Sequence, residues 1–187
     1  MKVVFLDRDG VINEYPGENE YVKSWREFHF IPRSKKALKI LSDNGFKVFI
    51  ISNQSGVSKG IYSKEKLDLI TGNMLRSLRS RGIRITGVYY CTHSDKDNCS
   101  CRKPKRGLID MAVSGLKEGC RNISLSRSYF IGDSIVDIKT GKSAGLKTIL
   151  VFSGKEKPRA VKKLPISPDH TAKDLYGAVD LILKEKL

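Results

Sequence analysis

A pair of aspartates ends the first apolar run of the chain and is the first feature that could do chemistry. The segment 5–11 reads FLDRDGV, so Asp7 and Asp9 are two positions apart. Side chains two residues apart in an extended chain point the same way. Two like charges at the end of a strand are unfavourable unless a cation lies beside them. The pair therefore indicates an acid site that works with a cation, although an ordinary turn rich in Asp and Gly has the same composition.

Residues that could bind a phosphate follow the second apolar run and precede a proline further along. Ser52 and Asn53 come directly after the run 48–51 (VFII). A hydroxyl and an amide donate hydrogen bonds without adding charge, which suits a phosphate at the end of a strand. Lys103 precedes Pro104, which restricts the lysine to extended conformations in a loop, where its ammonium can meet a phosphate. Each signal alone also fits an ordinary polar loop.

Two more carboxylates follow a later apolar run. Asp133 comes immediately after the segment 129–132 (YFIG), and Asp137 lies four positions beyond it. The alternative to a functional role is that an aspartate here caps the following helix. Together with Asp7 and Asp9, these residues place acids after two different strands of one predicted sheet.

Three of the four cysteines cluster with a histidine. Cys91-x-His93 and Cys99-x-Cys101 are separated by five residues, whereas Cys120 stands apart and is expected to be an ordinary thiol. Three thiols and one imidazole complete a tetrahedral zinc site with no open position, so the loop 91–101 is predicted to bind a structural zinc. The alternative is a set of reduced thiols beside a surface histidine.

Alternating strands and helices must position these residues. Short β-branched and aromatic runs indicate strands, and apolar residues at helical spacing indicate helices. The alternation predicts βαβ units and a mostly parallel sheet, with ligands at the carboxyl ends of the strands. We therefore expect a three-layer, Rossmann-like α/β fold in a single domain over 1–187, with an exposed loop at 155–169. The predicted strands are 2–6, 47–52, 87–92, 128–132 and 147–152, and the predicted helices are 32–44, 63–81, 107–117, 136–144 and 174–186.

The order of an acid pair, a hydroxyl, a lysine and a second acid pair resembles the haloacid dehalogenase superfamily of phosphohydrolases. The resemblance covers nearly the whole chain, and the four motifs are matched by Asp7 with Asp9, Ser52, Lys103, and Asp133 with Asp137. The two zinc-ligand pairs, with DRDG, SNQSG and CRKP, look like the branch that contains heptose bisphosphate phosphatases and histidinol-phosphate phosphatases. Members of that branch lack a large cap, and the segments 13–32 and 54–86 leave no room for one here.

The resemblance implies a role for each acid near the first strand. Asp7 would be the nucleophile that forms an aspartyl-phosphate, which splits one difficult hydrolysis into two steps. Asp9 would be the general acid for the leaving oxygen and then the base that activates water. Mg²⁺ would bind the carboxylates of Asp7 and Asp133 and, by the resemblance, the backbone carbonyl of Asp9.

The remaining motif residues would hold the phosphate that is transferred. Ser52, Asn53 and Lys103 are expected to contact the substrate. Asp137 would orient Lys103 rather than bind the metal.

A sugar bisphosphate is the favoured substrate of the predicted site. A second, non-reacting phosphate needs further cations, and Arg102 is the best-placed candidate because zinc would fix the loop that presents it. Lys59, Lys105 and Arg106 are outer candidates. Histidinol phosphate, which carries an ammonium, remains the alternative, and the five residues between the zinc-ligand pairs are more like the histidinol type.

Charge and hydropathy bound the partners and the location. The chain has 35 Lys and Arg against 20 Asp and Glu, a net charge of +15, which favours an anionic partner. Because the basic residues are dispersed and no aromatic residues alternate with them, nucleic-acid binding, with or without end-phosphatase activity, is the less favoured class. The longest apolar runs have four residues, whereas a membrane span needs about 20 and a secretory signal at least about 7. We expect a cytoplasmic monomer without membrane association.

Overall fold

A parallel sheet of six strands organises the chain in the computed structural model, which describes residues 2–116 and 123–185. The strands are β1 (Val3–Leu6), β2 (Lys47–Asn53), β3 (Gly87–Cys91), β4 (Tyr129–Gly132), β5 (Lys147–Val151) and β6 (His170–Ala172). The helices are α1 (Ser34–Asp43), α2 (Lys64–Arg79), α3 (Gly107–Ser114), α4 (Ile135–Ser143) and α5 (Leu175–Lys184).

The strand order places the start of the chain in the middle of the sheet. The order is β3-β2-β1-β4-β5-β6, and all five neighbouring pairs are parallel. The chain moves from β1 outward to β3 and then returns to β4 on the other side of β1. The connections leave the carboxyl ends of β1 and β4 in opposite directions, and the crevice at such a switch point is where open α/β sheets bind ligands.

Both faces of the sheet are covered, which gives the three-layer fold predicted from the sequence. Val4 and Leu6 of β1 belong to a core that also contains apolar residues of α1, α2 and α5. Val3 and Phe5 belong to a second core on the opposite face, together with apolar residues of α3. Helix α4 packs on β4 and β5. All of β1 is buried, as expected for a strand covered on both faces.

One strand, β6, was not predicted from the sequence. Strand β6 pairs with β5 over three residues, and the segment 155–169 that precedes it contains a 3-10 helix at Pro158–Lys163 where only a loop was predicted. A three-residue strand that begins with His170 and Thr171 has no apolar run to reveal it. The other strands and helices lie where they were predicted, with ends shifted by one to three residues. The predicted ends of the third and fifth helices, and Cys120, lie outside the described residues.

The long connections near the site are loops rather than domains. Residues between β1 and α1 contain a 3-10 helix at Trp25–Glu27, and residues between β2 and α2 form turns. The described part of the chain therefore contains no cap domain. In the same part of the chain, no helix is long and apolar enough to cross a membrane.

Candidate active site

Three neighbouring strand ends bring the predicted site residues together. Asp7 follows β1, and its backbone N–H donates a hydrogen bond to the carbonyl of Ile131 in β4 at 3.0 Å. Ser52 and Asn53 end β2 on one side of β1, and Asp133 follows β4 on the other. These ends open into one cleft of about 400 Å³. The predicted residues that line the cleft are Asp7, Asp9, Ser52, Asn53, Arg102, Lys103 and Asp133.

Lys103 reaches the floor of the cleft from the turn before α3. Its Nζ lies 2.9 Å from Oδ2 of Asp7 and 2.6 Å from Oδ1 of Asp137, and its side chain is buried. Asn53 holds the backbone of this turn, because its amide donates to the carbonyl of Lys103 and accepts from the N–H of Lys103, both at 3.1 Å. Burial lowers the pKa of Lys103, but Asp137 and Asp7 outweigh burial and raise it, so the ammonium stays charged.

Asp137 lies behind the cleft and is completely buried. One of its oxygens accepts hydrogen bonds from the backbone N–H and hydroxyl of Ser134 at the start of α4, and the other accepts from Lys103. The same side chain therefore caps a helix and orients a lysine. The capping interpretation and the functional one describe the same residue.

Asp133 sits in a cradle of glycines. Its Oδ2 accepts a hydrogen bond from the backbone N–H of Lys155 at 2.7 Å. A Cβ atom at Gly10 or Gly154 would collide with this carboxylate. Glycine at both positions lets the backbone close around Asp133 and aims its carboxylate at the cleft.

The carboxylates of Asp7 and Asp133 line the cleft and fit a divalent cation. One oxygen of each, and one of Asp137 behind them, lie within 4.8 Å of one another. Burial raises the pKa of Asp7 to about 6, although the ammonium of Lys103 opposes the rise. Burial, and after it the charges of Asp137 and Asp7, raise the pKa of Asp133 well above its usual range. Three acids beside one lysine leave an excess of negative charge that a cation with oxygen ligands, such as Mg²⁺, would balance.

Asp9 is surrounded by hydrogen-bond donors that the sequence analysis did not assign. The buried guanidinium of Arg8 contacts both carboxylate oxygens, at 2.9 and 3.0 Å from Nη2. Asn13 donates to Oδ1 and Gln54 to Oδ2, each at 2.8 Å. The guanidinium also lies over the ring of Tyr90, with its central carbon 5.7 Å from the centroid. An arginine between two aspartates at a buried strand end was the one signal in the sequence that could have revealed this network.

The thiols and the imidazole of the loop 91–101 form a tetrahedral arrangement. The three sulfur atoms lie 3.4–3.6 Å apart, and Nδ1 of His93 lies 3.6 Å from the sulfur of Cys91 and 3.3 Å from that of Cys101. Zinc–sulfur bonds of about 2.3 Å would place tetrahedral sulfur ligands about 3.8 Å apart. The donor set and its dimensions therefore fit zinc, with ligands Cys91, His93, Cys99 and Cys101.

Two of the four basic residues predicted to bind a second phosphate line the cleft, and the other two do not. Arg102 lines the cleft and is held by Asp95 at 2.5 Å and by the carbonyl of His93 at 3.2 Å. Lys59 also lines the cleft. Lys105 instead contacts backbone carbonyls in the zinc loop, and Arg106 pairs with Asp110 on α3; neither lines the cleft.

Relatives of known name match this chain over most of its length. A family model described as HAD-hydrolase-like matches residues 100–178. A relative from Chlorobaculum tepidum named D-glycero-D-manno-heptose-1,7-bisphosphate 7-phosphatase is 37% identical, over 95% of this chain and 92% of its own. A D-glycero-beta-D-manno-heptose-1,7-bisphosphate 7-phosphatase from Neisseria meningitidis is 35% identical, over 91% of this chain and 88% of its own.

A solved structure shares the whole fold. The crystal structure of D,D-heptose 1,7-bisphosphate phosphatase from B. bronchiseptica, complexed with magnesium and phosphate, superposes with a TM-score of 0.87 at 30% identity and covers 99% of both chains. The chain therefore belongs to the HAD-like hydrolases, the haloacid dehalogenase superfamily that its motifs indicate. Within that superfamily it is similar to the heptose bisphosphate phosphatases, which confirms the branch as well.

Proposed function

We propose that this chain is a Mg²⁺-dependent phosphatase that removes the 7-phosphate of D-glycero-D-manno-heptose 1,7-bisphosphate. The observation that carries the proposal is the position of Asp7 on the floor of the cleft, joined to Lys103 and within 4.8 Å of the Asp133 carboxylate. The proposed sugar follows from the names of the relatives. The proposed reaction is supported by the arrangement of Asp7, Lys103 and Asp133.

In the first step, a carboxylate oxygen of Asp7 attacks phosphorus and the bond to the sugar oxygen breaks. The proton that the leaving oxygen needs comes from Asp9, which lines the same cleft two residues further on. The products of this step are the heptose 1-phosphate with a free 7-hydroxyl and an aspartyl-phosphate on Asp7. A carboxylate is an effective nucleophile here because the attack is intramolecular once the substrate is bound.

In the second step, Asp9 takes a proton from water, which attacks the aspartyl-phosphate. Inorganic phosphate leaves, and Asp7 and the protonated Asp9 are regenerated. The ammonium of Lys103 and the hydroxyl of Ser52 line the same cleft as Asp7, so they would bind the phosphoryl oxygens and stabilise charge in both transition states. Mg²⁺ held by Asp7, Asp133 and the backbone carbonyl of Asp9 would neutralise charge on the transferring group.

Arg102 and Lys59 on the rim would hold the second phosphate of a bisphosphate. Arg102 is suited to this role because Asp95 and the carbonyl of His93 hold its guanidinium in place, and a fixed fork favours a phosphate. Zinc on the four ligands of the loop 91–101 would hold the turn that presents Arg102 and Lys103. Reduced thiols are typical of cytoplasmic proteins, so we propose that the enzyme is cytoplasmic. We also propose that it is a monomer.

A turnover screen in the presence of Mg²⁺ tests the proposed substrate. The panel contains the α and β anomers of the heptose bisphosphate, histidinol phosphate, and oligonucleotides with 5′- or 3′-phosphates. We expect the highest kcat/KM on a heptose bisphosphate, with loss of one phosphate only. A preference for histidinol phosphate, or turnover confined to oligonucleotide ends, would overturn the substrate while leaving the reaction in place.

A further inference from the structure

Three polar side chains form a chain of hydrogen bonds that ends on Asp9. The hydroxyl of Tyr62 contacts Oε1 of Gln54 at 2.7 Å, and Nε2 of Gln54 contacts Oδ2 of Asp9 at 2.8 Å. The same Nε2 lies 3.2 Å from the hydroxyl of Ser52. Gln54 and Tyr62 are 2% and 3% exposed, so water does not compete for these bonds.

The direction of each hydrogen bond follows from the chemistry of its ends. An ionised carboxylate only accepts hydrogen bonds, so the NH₂ of Gln54 must face Asp9. The amide oxygen of Gln54 then faces Tyr62, and a carbonyl oxygen only accepts as well. The hydroxyl of Tyr62 must therefore donate. The carboxylate sets which way the amide points, and the hydroxyl of Tyr62 holds the amide in that orientation.

The backbone around Gln54 is shaped to seat the ring of Tyr62. A Cβ atom at Gly56 would collide with that ring, so glycine makes the space it fills. The ring of Tyr21 packs beside it, with a centroid separation of 6.2 Å. A ring held on both sides can hold its hydroxyl in one place, which an exposed tyrosine cannot do.

We propose that Gln54 and Tyr62 are positioning residues for the general acid–base carboxylate of Asp9. The inference rests on the proposed function, because it assumes that Asp9 protonates the leaving oxygen. Gln54 also ties Asp9 to Ser52, so the group that transfers the proton and a group that binds the phosphoryl oxygens share one amide. Gln54 contacts Asp9 directly, and Tyr62 acts on Asp9 through Gln54.

A positioning role predicts an effect that depends on the leaving group. A sugar oxygen is a poor leaving group and needs the proton from Asp9, whereas p-nitrophenolate leaves with little help. Tyr62→Phe keeps the ring and removes the hydroxyl. We expect it to lower kcat on the heptose bisphosphate about 10-fold, with KM unchanged, and to lower kcat on p-nitrophenyl phosphate less than about 3-fold. Gln54→Met should increase the ratio of the two losses further.

Tyr129→Phe is the matched control. Its hydroxyl also makes a 2.7 Å hydrogen bond, to Glu185, but at the other end of the sheet. We expect Tyr129→Phe to change Tm by an amount comparable to that of Tyr62→Phe and to leave kcat on both substrates unchanged. Equal losses on both substrates in Tyr62→Phe would overturn the inference and leave the proposed function standing. Absence of wild-type turnover on every phosphate ester would overturn both.

A double-mutant cycle separates positioning from a general loss of structure. In an Asp9→Asn background the acid is already missing, so Tyr62→Phe should cause no further loss on the sugar substrate. If the two losses multiply instead, Tyr62 acts independently of Asp9 and the inference is wrong.

Discussion

The two clusters of potential metal ligands found in the described part of the chain are assembled in different ways. The carboxylates of Asp7, Asp133 and Asp137 come from the ends of β1 and β4 and from α4, so the folded sheet alone brings them together. The thiols and imidazole come from one loop at 91–101. Asp7 and Asp133 of the first cluster line a cleft, whereas the four ligand atoms of the second cluster face one another.

This difference teaches how the two clusters divide the work. Carboxylates carried by rigid elements can hold a reacting group in a fixed position. Such a fixed position is needed because small displacements in an active site lower the rate. A tetrahedral zinc site with no open position cannot bind substrate, so it can only stabilise the conformation of its loop. Lys103 links the two clusters, because it lies two residues after Cys101 and contacts both Asp7 and Asp137. We therefore expect the loop to act on the reaction through this lysine.

The largest expected effect is the loss of the nucleophile. Asp7→Asn should lower kcat by at least about 10²-fold, because an amide cannot form the acyl phosphate. The fold should persist, since Lys103 keeps Asp137 as a partner. Kinetics and a melting curve check both expectations. Asp110→Asn on α3 is the control, and residual activity in Asp7→Asn above about 1% would contradict the nucleophilic role.

Metal removal should distinguish the two clusters directly. Turnover should stop in EDTA and return with Mg²⁺ alone, because Asp7 and Asp133 line an open cleft through which the ion can exchange. Zinc should stay bound under the same treatment, as measured by metal analysis. Ca²⁺ should inhibit, because its oxygen bonds of about 2.3–2.6 Å exceed the roughly 2.0–2.1 Å of Mg²⁺. Full activity in EDTA, or recovery that requires added zinc, would contradict the assignment.

Loss of zinc should have an intermediate effect that acts through geometry. Wild-type protein should contain about one zinc per chain, and Cys99→Ser should lose it. A displacement of Lys103 by about 1 Å would lower kcat on the order of 10²-fold. The Mg²⁺ requirement should persist, since Asp7 and Asp133 follow other strands. Ser100→Ala, an exposed change in the same loop, is the control, and unchanged turnover in zinc-free Cys99→Ser would refute the coupling.

The smallest effect should concern the rim of the cleft. Arg102→Ala should raise KM for the bisphosphate about 10-fold more than KM for a monophosphate, because one charge-assisted contact is lost. Arg106→Ala, whose guanidinium pairs with Asp110 outside the cleft, is the matched control. Equal changes on both substrates would place Arg102 on the transferring phosphate instead.

The sequence could predict two of the acids because each follows an apolar run directly. Asp7 and Asp133 mark the ends of buried strands, and in a parallel sheet such ends share one edge. The zinc ligands were predictable for another reason: local spacing defines that site without any tertiary contact. Strand β6 was missed because its pairing with β5 is a tertiary event that leaves no local pattern.

The network around Asp9 could not be predicted from residue types. Gln54 and Tyr62 are neutral, carry no metal-ligand chemistry and lie in turns, so only the fold shows that they meet Asp9. Arg8 carried a charge signal, but a guanidinium between two aspartates is as readily a solvated surface group. Its burial becomes evident only when the rings of Phe28 and Tyr90 are seen beside it.

Asn53 adjoins both ends of the zinc loop. It pairs with Cys91 in the register of β2 and β3, and its amide clasps the backbone of Lys103 in both directions. The span between these anchors is therefore a closed excursion of the chain. The entropy of closing such a loop changes by only about 0.6 kcal/mol for each doubling of its length. A change in the number of residues between His93 and Cys99 should therefore leave the backbone of Lys103 in place, provided that Asp95, which holds the guanidinium of Arg102, is kept.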